Sequence, residues 1–292
     1  MMERALRALV LATTVGCSSG DSDAFDSGKD AAACGGAAAT QMHWVIDSLY
    51  FAGVNDGVSN GFDLDGHTSN GTGADGCGRA DFTSPDGTTG IDNAFGEVLP
   101  ALENTEFIAA EALINATIRT GELMLLVSMD HVDDGMTDDC IDLSLGRASG
   151  VPMLGTDEAF LPGQTLARDS SFDNAIVTNT AVVDGVAVGS PITATIPIQI
   201  LDAAIEFEIL DGAVRLEQHE DGLASGVFAG GLDIATIINV VANEGVAQEL
   251  KDLLSSVLYV VADLAPDESG ECQQLSITFE YTATPVYLFA EE

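Results

Sequence analysis

One loop of the sequence concentrates the residue types that bind hard metal ions. Residues 55–95 contain seven aspartates and a single arginine, with glycines spaced between them. Aspartate supplies a carboxylate oxygen on a short side chain, and glycine lets the backbone fold tightly enough to present carbonyl oxygens. Because like charges at this density repel, a compact loop needs solvent, salt or a cation to offset them. The chemistry predicted here is oxygen coordination of a divalent cation, with calcium as the candidate.

Two stretches supply the candidate ligands. The main set is Asp63, Asp65, Asp75, Asp81, Asp86 and Asp92. The second set, in "DHVDDGMTDDC", is Asp130, Asp134 and Asp138. Neither stretch follows the EF-hand spacing, because Thr68 stands where that loop requires glycine and Val132 and Ile141 occupy ligand positions. An irregular calcium loop and a merely solvated acidic loop both stay open.

Other chemistries find little support in the residue pattern. Residues 71–76 read GxGxxG, but no strand pattern precedes them and no helix pattern follows, so a dinucleotide site is not predicted. The sequence has no GxSxG motif. Its four histidines are scattered singly: His43, His67, His131 and His219. The sequence therefore names no catalytic residue.

The charge balance restricts the classes of partner. The chain has 292 residues, of which 46% are hydrophobic, so it is long and apolar enough to bury a core. Nine lysines and arginines stand against 47 acidic residues, for a formal net charge of −38. Such a surface repels nucleic acid and anionic lipid and attracts cations. Adaptation to a salty medium is the alternative explanation of the charge.

The first residues have the pattern of an export signal. In "MMERALRALVLATTVGCSSG", Arg4 and Arg7 precede an apolar run too short to span a membrane. Residues 14–17, Thr-Val-Gly-Cys, resemble the lipobox of bacterial lipoproteins, a family that prefers leucine where Thr14 stands. The resemblance implies cleavage before Cys17, acylation of Cys17 and, with Ser18 next, delivery to the outer membrane or cell surface. An ordinary cleaved leader is the alternative.

Export also bears on the other cysteines. An even number of them in an oxidising compartment predicts disulfides, with three possible connectivities. The cysteines concerned are Cys34, Cys77, Cys140 and Cys272. We favour Cys77 with Cys140, since both lie in aspartate-rich stretches, which leaves Cys34 with Cys272.

The elements that position these residues follow from hydrophobic spacing. Residues 1–16 form the signal peptide, 17–41 a flexible Ser/Gly/Ala/Asp tether, and 42–292 one domain. Helical spacing covers residues 91–120, 232–243 and 246–265, whereas strand patterns dominate 174–229 and 274–289. The pattern predicts an α+β fold, with a largely antiparallel, sandwich-like sheet flanked by helices.

These features together predict a lipid-anchored protein of the cell envelope with a non-catalytic structural or adhesive binding role. Its expected partners are the membrane, through the N-terminal lipid, and divalent cations, together with an unidentified protein or polysaccharide. Two alternatives stay open. One is a carrier of lipid or another hydrophobic ligand, with a cavity between strands and helices, and the other is a secreted hydrolase with an unrecognised site.

Overall fold

The structure, a computed structural model, describes residue 34 and residues 40–72, 75–102, 109–200, 203–243 and 257–289. The predicted signal peptide, Cys17, most of the predicted tether and the first part of the predicted helix 246–265 lie outside the described residues. Residues 257–261 of that segment are helical, in agreement with the prediction.

Strands supply most of the described structure. They are β1 (Thr40–Phe51), β2 (Phe82–Thr83), β3 (Thr89–Ile91), β4 (Leu125–Val132), β5 (Asp138–Ser149), β6 (Gln164–Arg168), β7 (Ala175–Val183), β8 (Val186–Ile200), β9 (Ala203–Gln218), β10 (Ala224–Asp233), β11 (Leu264–Pro266) and β12 (Cys272–Leu288). The named helices are α1 (Ala94–Leu102), α2 (Ala110–Thr120) and α3 (Ile234–Asn243).

Eight of these strands close into an antiparallel β-barrel. The ring runs β1-β4-β5-β7-β8-β9-β10-β12, and the pairing of β12 with β1 closes it. In that closing pair His43 lies opposite Val286 and Phe51 lies opposite Phe279. Outside the ring, β6 pairs with both β5 and β12, and β11 pairs with β12.

The predicted fold class was wrong. Strands make up 52% of the described residues and helices 16%, and the sheet closes on itself instead of forming a sandwich-like layer flanked by helices. The alternating apolar residues correctly indicated antiparallel strands. Local alternation, however, carries no information about which strand meets β1, because that partner, β12, lies more than two hundred residues away in the chain.

Several local predictions are confirmed. Val183 pairs with Val186 across Asp184-Gly185, and both turn residues have the positive φ that a two-residue hairpin of this type requires. Gly121 caps α2 in the left-handed conformation, as glycine at this position commonly does. The segment predicted as helical over 91–120 contains α1, with Pro100 inside it, and then α2. No helix among the described residues is long and apolar enough to cross a membrane.

The main core consists of apolar side chains from the barrel strands and α2. Phe228 stacks on Phe279 with ring centroids 4.9 Å apart, and both rings are buried. Helix α2 contributes Ile114 and Ile118 to the same core. Helix α2 contacts both β1 and β8, which lie on opposite sides of the ring. The described interior is packed with large side chains, as stable cores are.

Candidate metal site

The acidic loop packs against the outer face of β12. The chain leaves β1 at Phe51 and follows β12, where the Ala52 amide donates to the Thr278 carbonyl at 2.9 Å. Further along, the Asn60 side-chain amide donates to the Glu280 carboxylate at 2.6 Å. The loop returns to the barrel at the start of α1, where the Ala94 amide donates to Ser276 Oγ at 2.7 Å. These contacts hold both ends of the loop on one strand.

Three predicted ligands converge within this loop. Asp63, Asp65 and Asp92 each offer one carboxylate oxygen, and the three oxygens all lie within 4.8 Å of one another. Asp92 follows β3 and is buried, Asp65 is half-buried and Asp63 is exposed. Three hard oxygens at this separation can coordinate one divalent cation, with water or backbone carbonyls completing the shell. The donor set by itself does not select calcium over other hard cations.

Backbone amides orient the three carboxylates. The amide of Gly66 donates to Asp63 at 2.7 Å, and that of His67 donates to Asp65 at 2.8 Å. Between these two acids the Leu64 amide donates to Asp92 Oδ2 at 2.7 Å. Each carboxylate is thus held in a defined direction by the tight turn of residues 63–67.

Two more carboxylates increase the negative potential around this cluster. Asp81 accepts a 2.5 Å bond from the Ser69 amide, and Asp263 accepts from the Ser276 amide at 2.8 Å. Asp263 is almost fully buried. Among the described residues, neither ion pair that forms involves any of the five acids. Negative charge here is therefore compensated by hydrogen bonds, protons or a bound cation.

The pKa shifts of these acids agree with their crowded, buried placement. Burial, followed by the charges of Asp263, Asp65 and Asp81, raises the pKa of Asp92 to about 8. Burial also raises the pKa of Asp263 to about 6, with a smaller contribution from Asp65. Burial raises the pKa of Asp81 as well, assisted by Asp65 and Asp63. Without a cation, neutral pH therefore leaves Asp92 largely protonated.

The remaining members of the main predicted set lie elsewhere in the loop. Asp75 begins a short 3₁₀ turn, Asp75–Gly78. Asp86 stands at an exposed turn and accepts hydrogen bonds from the Ser84 hydroxyl and the Thr88 amide. Those bonds lower the pKa of Asp86 to about 2. In the described residues, Asp86 belongs to a self-contained turn and not to the converging cluster.

Two members of the second predicted set, Asp134 and Asp138, stabilise the turn between β4 and β5. Asp138 accepts hydrogen bonds from the Asp133, Asp134 and Cys140 amides, while Asp134 accepts from the Met136 amide. Asp130 lies on β4 opposite Asp142 of β5. In the part of the chain that the structure describes, these acids form no three-carboxylate group. The Asp134 and Asp138 side chains bond to the backbone of the turn, whereas the buried Oδ1 of Asp130 has no hydrogen-bond partner among the described residues.

The two disulfides overturn the favoured cysteine pairing. Cys34 bonds to Cys140 and Cys77 bonds to Cys272. That two disulfides form is confirmed, but the pairing of Cys77 with Cys140 and of Cys34 with Cys272 was wrong. The two aspartate-rich stretches are not neighbours, because the acidic loop packs on β12 and the second stretch lies between β4 and β5. The Cys77–Cys272 bond therefore attaches the acidic loop to the strand beneath it.

Asp263 is the residue that the sequence reasoning missed. It stands alone among apolar residues in "YVVADLAP", near the end of the predicted helix 246–265. A single acid in so apolar a segment indicates a buried, hydrogen-bonded carboxylate, since an exposed one would have polar neighbours.

Comparison with known proteins adds no assignment to this geometry. The chain matches no protein-family model, no curated protein and no solved structure.

Proposed function

We propose that this protein is a lipid-anchored component of the bacterial cell envelope with a non-catalytic structural or adhesive binding role, and that calcium orders its acidic loop. The convergence of Asp63, Asp65 and Asp92 carries the proposal. An all-carboxylate donor set suits a hard cation held for structure, because softer transition metals favour histidine or cysteine. The export signal and the acylated Cys17 would place the domain outside the cytoplasm, where calcium is abundant.

A bound calcium ion would displace protons from the aspartates of the cluster and would offset the repulsion among their carboxylates by coordinating them. In the metal-free loop the ionised form of Asp92 is disfavoured first by burial and then by the charges of Asp263, Asp65 and Asp81, as its raised pKa indicates. A bound divalent cation removes that penalty and holds the turn of residues 63–67 against Asp92. The loop would then present one surface to a protein or polysaccharide partner instead of an ensemble of conformations.

The hydrolase alternative has less support from the described residues. The His43 Nδ1 and Ser128 Oγ atoms are 2.8 Å apart, but both residues are buried between β1 and β4. Burial lowers the pKa of His43, which favours its neutral form. A serine that is only 1% exposed has no access for a substrate. This pair is better explained as a satisfied contact between two strands.

Calorimetric titration of Ca²⁺ into residues 18–292 tests the proposal. High monovalent salt screens the non-specific attraction of calcium to the acidic surface, so that only binding at a defined site gives a saturable signal. We expect saturable binding that weakens by roughly tenfold or more in a variant with Asp63→Asn and Asp65→Asn, which loses two carboxylate ligands. Asp92→Asn should weaken binding as well.

Asp86→Asn is the matched control, since it removes the same charge from the same loop at a residue outside the cluster. Its calcium affinity should equal that of the wild type. Binding that never saturates, or that is equally strong in the wild type and in the Asp63→Asn/Asp65→Asn variant, would contradict the proposal and make the loop a solvated turn.

A further inference from the structure

A cavity of about 340 Å³ lies beside the Cys77–Cys272 disulfide. Its lining includes Cys77, Arg79, Tyr259, Val260, Glu271 and Cys272. None of the three converging metal-site carboxylates lines it. Its volume is at the lower end of the range of small-molecule sites, which suits a ligand of about amino-acid size.

The cavity contains two opposite charges that do not pair with each other. The Arg79 side chain is half-buried, and its guanidinium has no hydrogen-bond or ion-pair partner among the described residues. The Glu271 carboxylate, exposed at the same cavity, has none either within the described part of the chain. Within the described part of the chain no carboxylate forms an ion pair with the Arg79 guanidinium, so its N–H donors can bind a ligand.

The electrostatics of the protein restrict the charge of that ligand. A simple anion would meet the field of a chain with a net charge of −38. A simple cation would meet the Arg79 guanidinium inside the cavity. A zwitterion has no net charge, and its two ends match the two groups, since a carboxylate fits the guanidinium fork and an ammonium donates to a carboxylate.

The other walls of the cavity favour an apolar body. Tyr259 presents an aromatic ring and Val260 an aliphatic side chain, both exposed to solvent on the helical residues 257–261. A Cβ placed on Gly270, in the turn between β11 and β12, would meet nothing within 4 Å, so the described residues leave this part of the cavity open to an entering molecule.

We propose that this cavity binds a small zwitterion, an α-amino acid with an apolar side chain. Arg79 holds its carboxylate, Glu271 accepts from its ammonium group, and Tyr259 with Val260 contacts its side chain. This site is separate from the metal cluster and does not depend on the calcium proposal.

Ligand binding to the intact residues 18–292 tests the proposal, with L-leucine as the probe. We expect saturable binding by calorimetry or ligand-observed NMR. Arg79→Gln should weaken it by roughly tenfold or more, since a hydrogen bond to a charged group contributes about 1.5–3 kcal/mol. Glu271→Gln should weaken it as well. Thermal denaturation of each variant checks that the fold is retained.

Two comparisons make the result specific. Arg119→Gln removes the same charge from an exposed residue at the end of α2, outside the cavity lining, and should bind L-leucine as the wild type does. 4-Methylpentanoate lacks the ammonium group and 3-methylbutylamine lacks the carboxylate, so both should bind much more weakly. No saturable binding by the wild type, equal binding by Arg79→Gln, or equal binding of 4-methylpentanoate would overturn the proposal.

Discussion

At the scale of single residues, the aspartates of the acidic loop differ in how deeply each carboxylate is buried and in what surrounds it. Asp63 and Asp86 have the same side chain and lie in the same loop, yet one faces two other acids and the other is satisfied within its own turn. Asp92 differs from both because it is buried, and burial is the first cause of its raised pKa. The chemistry of an aspartate here depends on its surroundings and not on its type.

The raised pKa values predict how stability depends on pH. Asp92, with a pKa of about 8, and Asp263, with a pKa of about 6, keep protons in the folded protein that the unfolded chain releases above about pH 4. The metal-free protein should therefore lose stability as pH rises from about 4 to about 8. A difference of one pKa unit between the folded and unfolded states changes the free energy of unfolding by about 1.4 kcal/mol, which corresponds to a few degrees of Tm in a domain of this size.

Thermal denaturation in EDTA at a series of pH values measures this dependence. Asp92→Asn should flatten the decline between about pH 6 and 8, because the titrating group is gone. Calcium should raise Tm more at pH 8 than at pH 5, since at pH 5 it competes with the protons. A metal-free Tm with the same pH slope in the wild type and in Asp92→Asn would contradict this account.

At the scale of elements, the acidic loop depends on β12 for its position. Asn60 and Ala94 bond to side chains of that strand, and Cys77 is covalently joined to its first residue, Cys272. The other disulfide, Cys34–Cys140, joins the segment before β1 to β5. The first bond therefore restrains the acidic loop, whereas the second restrains the segment before β1.

The two disulfides predict different effects on calcium. Replacing Cys77 and Cys272 by serine should weaken calcium binding, because the loop must then be ordered without its covalent attachment. Replacing Cys34 and Cys140 by serine should leave calcium affinity unchanged and so serves as the control. Each pair of serine replacements should lower the free energy of unfolding by about 2–5 kcal/mol. Calcium titration and thermal denaturation of both double variants measure this, and an equal loss of affinity in both would contradict it.

At the scale of the whole molecule, a closed barrel carries a strongly acidic surface. Closing β1 onto β12 pairs the backbone groups along two strands that would otherwise form open edges. The net charge of −38 opposes electrostatic adsorption to anionic lipid. Attachment to a membrane would therefore rely on the acyl chains at Cys17, each buried methylene contributing about 0.8 kcal/mol.

Metabolic labelling with palmitate in a bacterial host tests the anchor. The full-length chain should incorporate label, and Cys17→Ala should lose it, since no acylated cysteine remains. Cys34→Ser is the control, because it alters a cysteine that forms a disulfide, and it should be labelled like the wild type. Labelling that persists in Cys17→Ala would refute the lipobox interpretation.

The amino-acid sequence by itself determined the structural features that depend only on residues close together in the chain. The Asp184-Gly185 hairpin and the Gly121 cap follow from backbone preferences of single residues, and the acidic loop was recognisable by composition alone. Barrel closure, the cysteine pairing and the choice of Asp63, Asp65 and Asp92 among many acids were decided by the tertiary structure. Barrel closure and the cysteine pairing join segments far apart in the chain, as Cys77 and Cys272 are across 195 residues, and the acid cluster brings Asp92 onto a turn earlier in the same loop. Local patterns cannot specify such contacts, because only packing of the whole barrel brings those segments together.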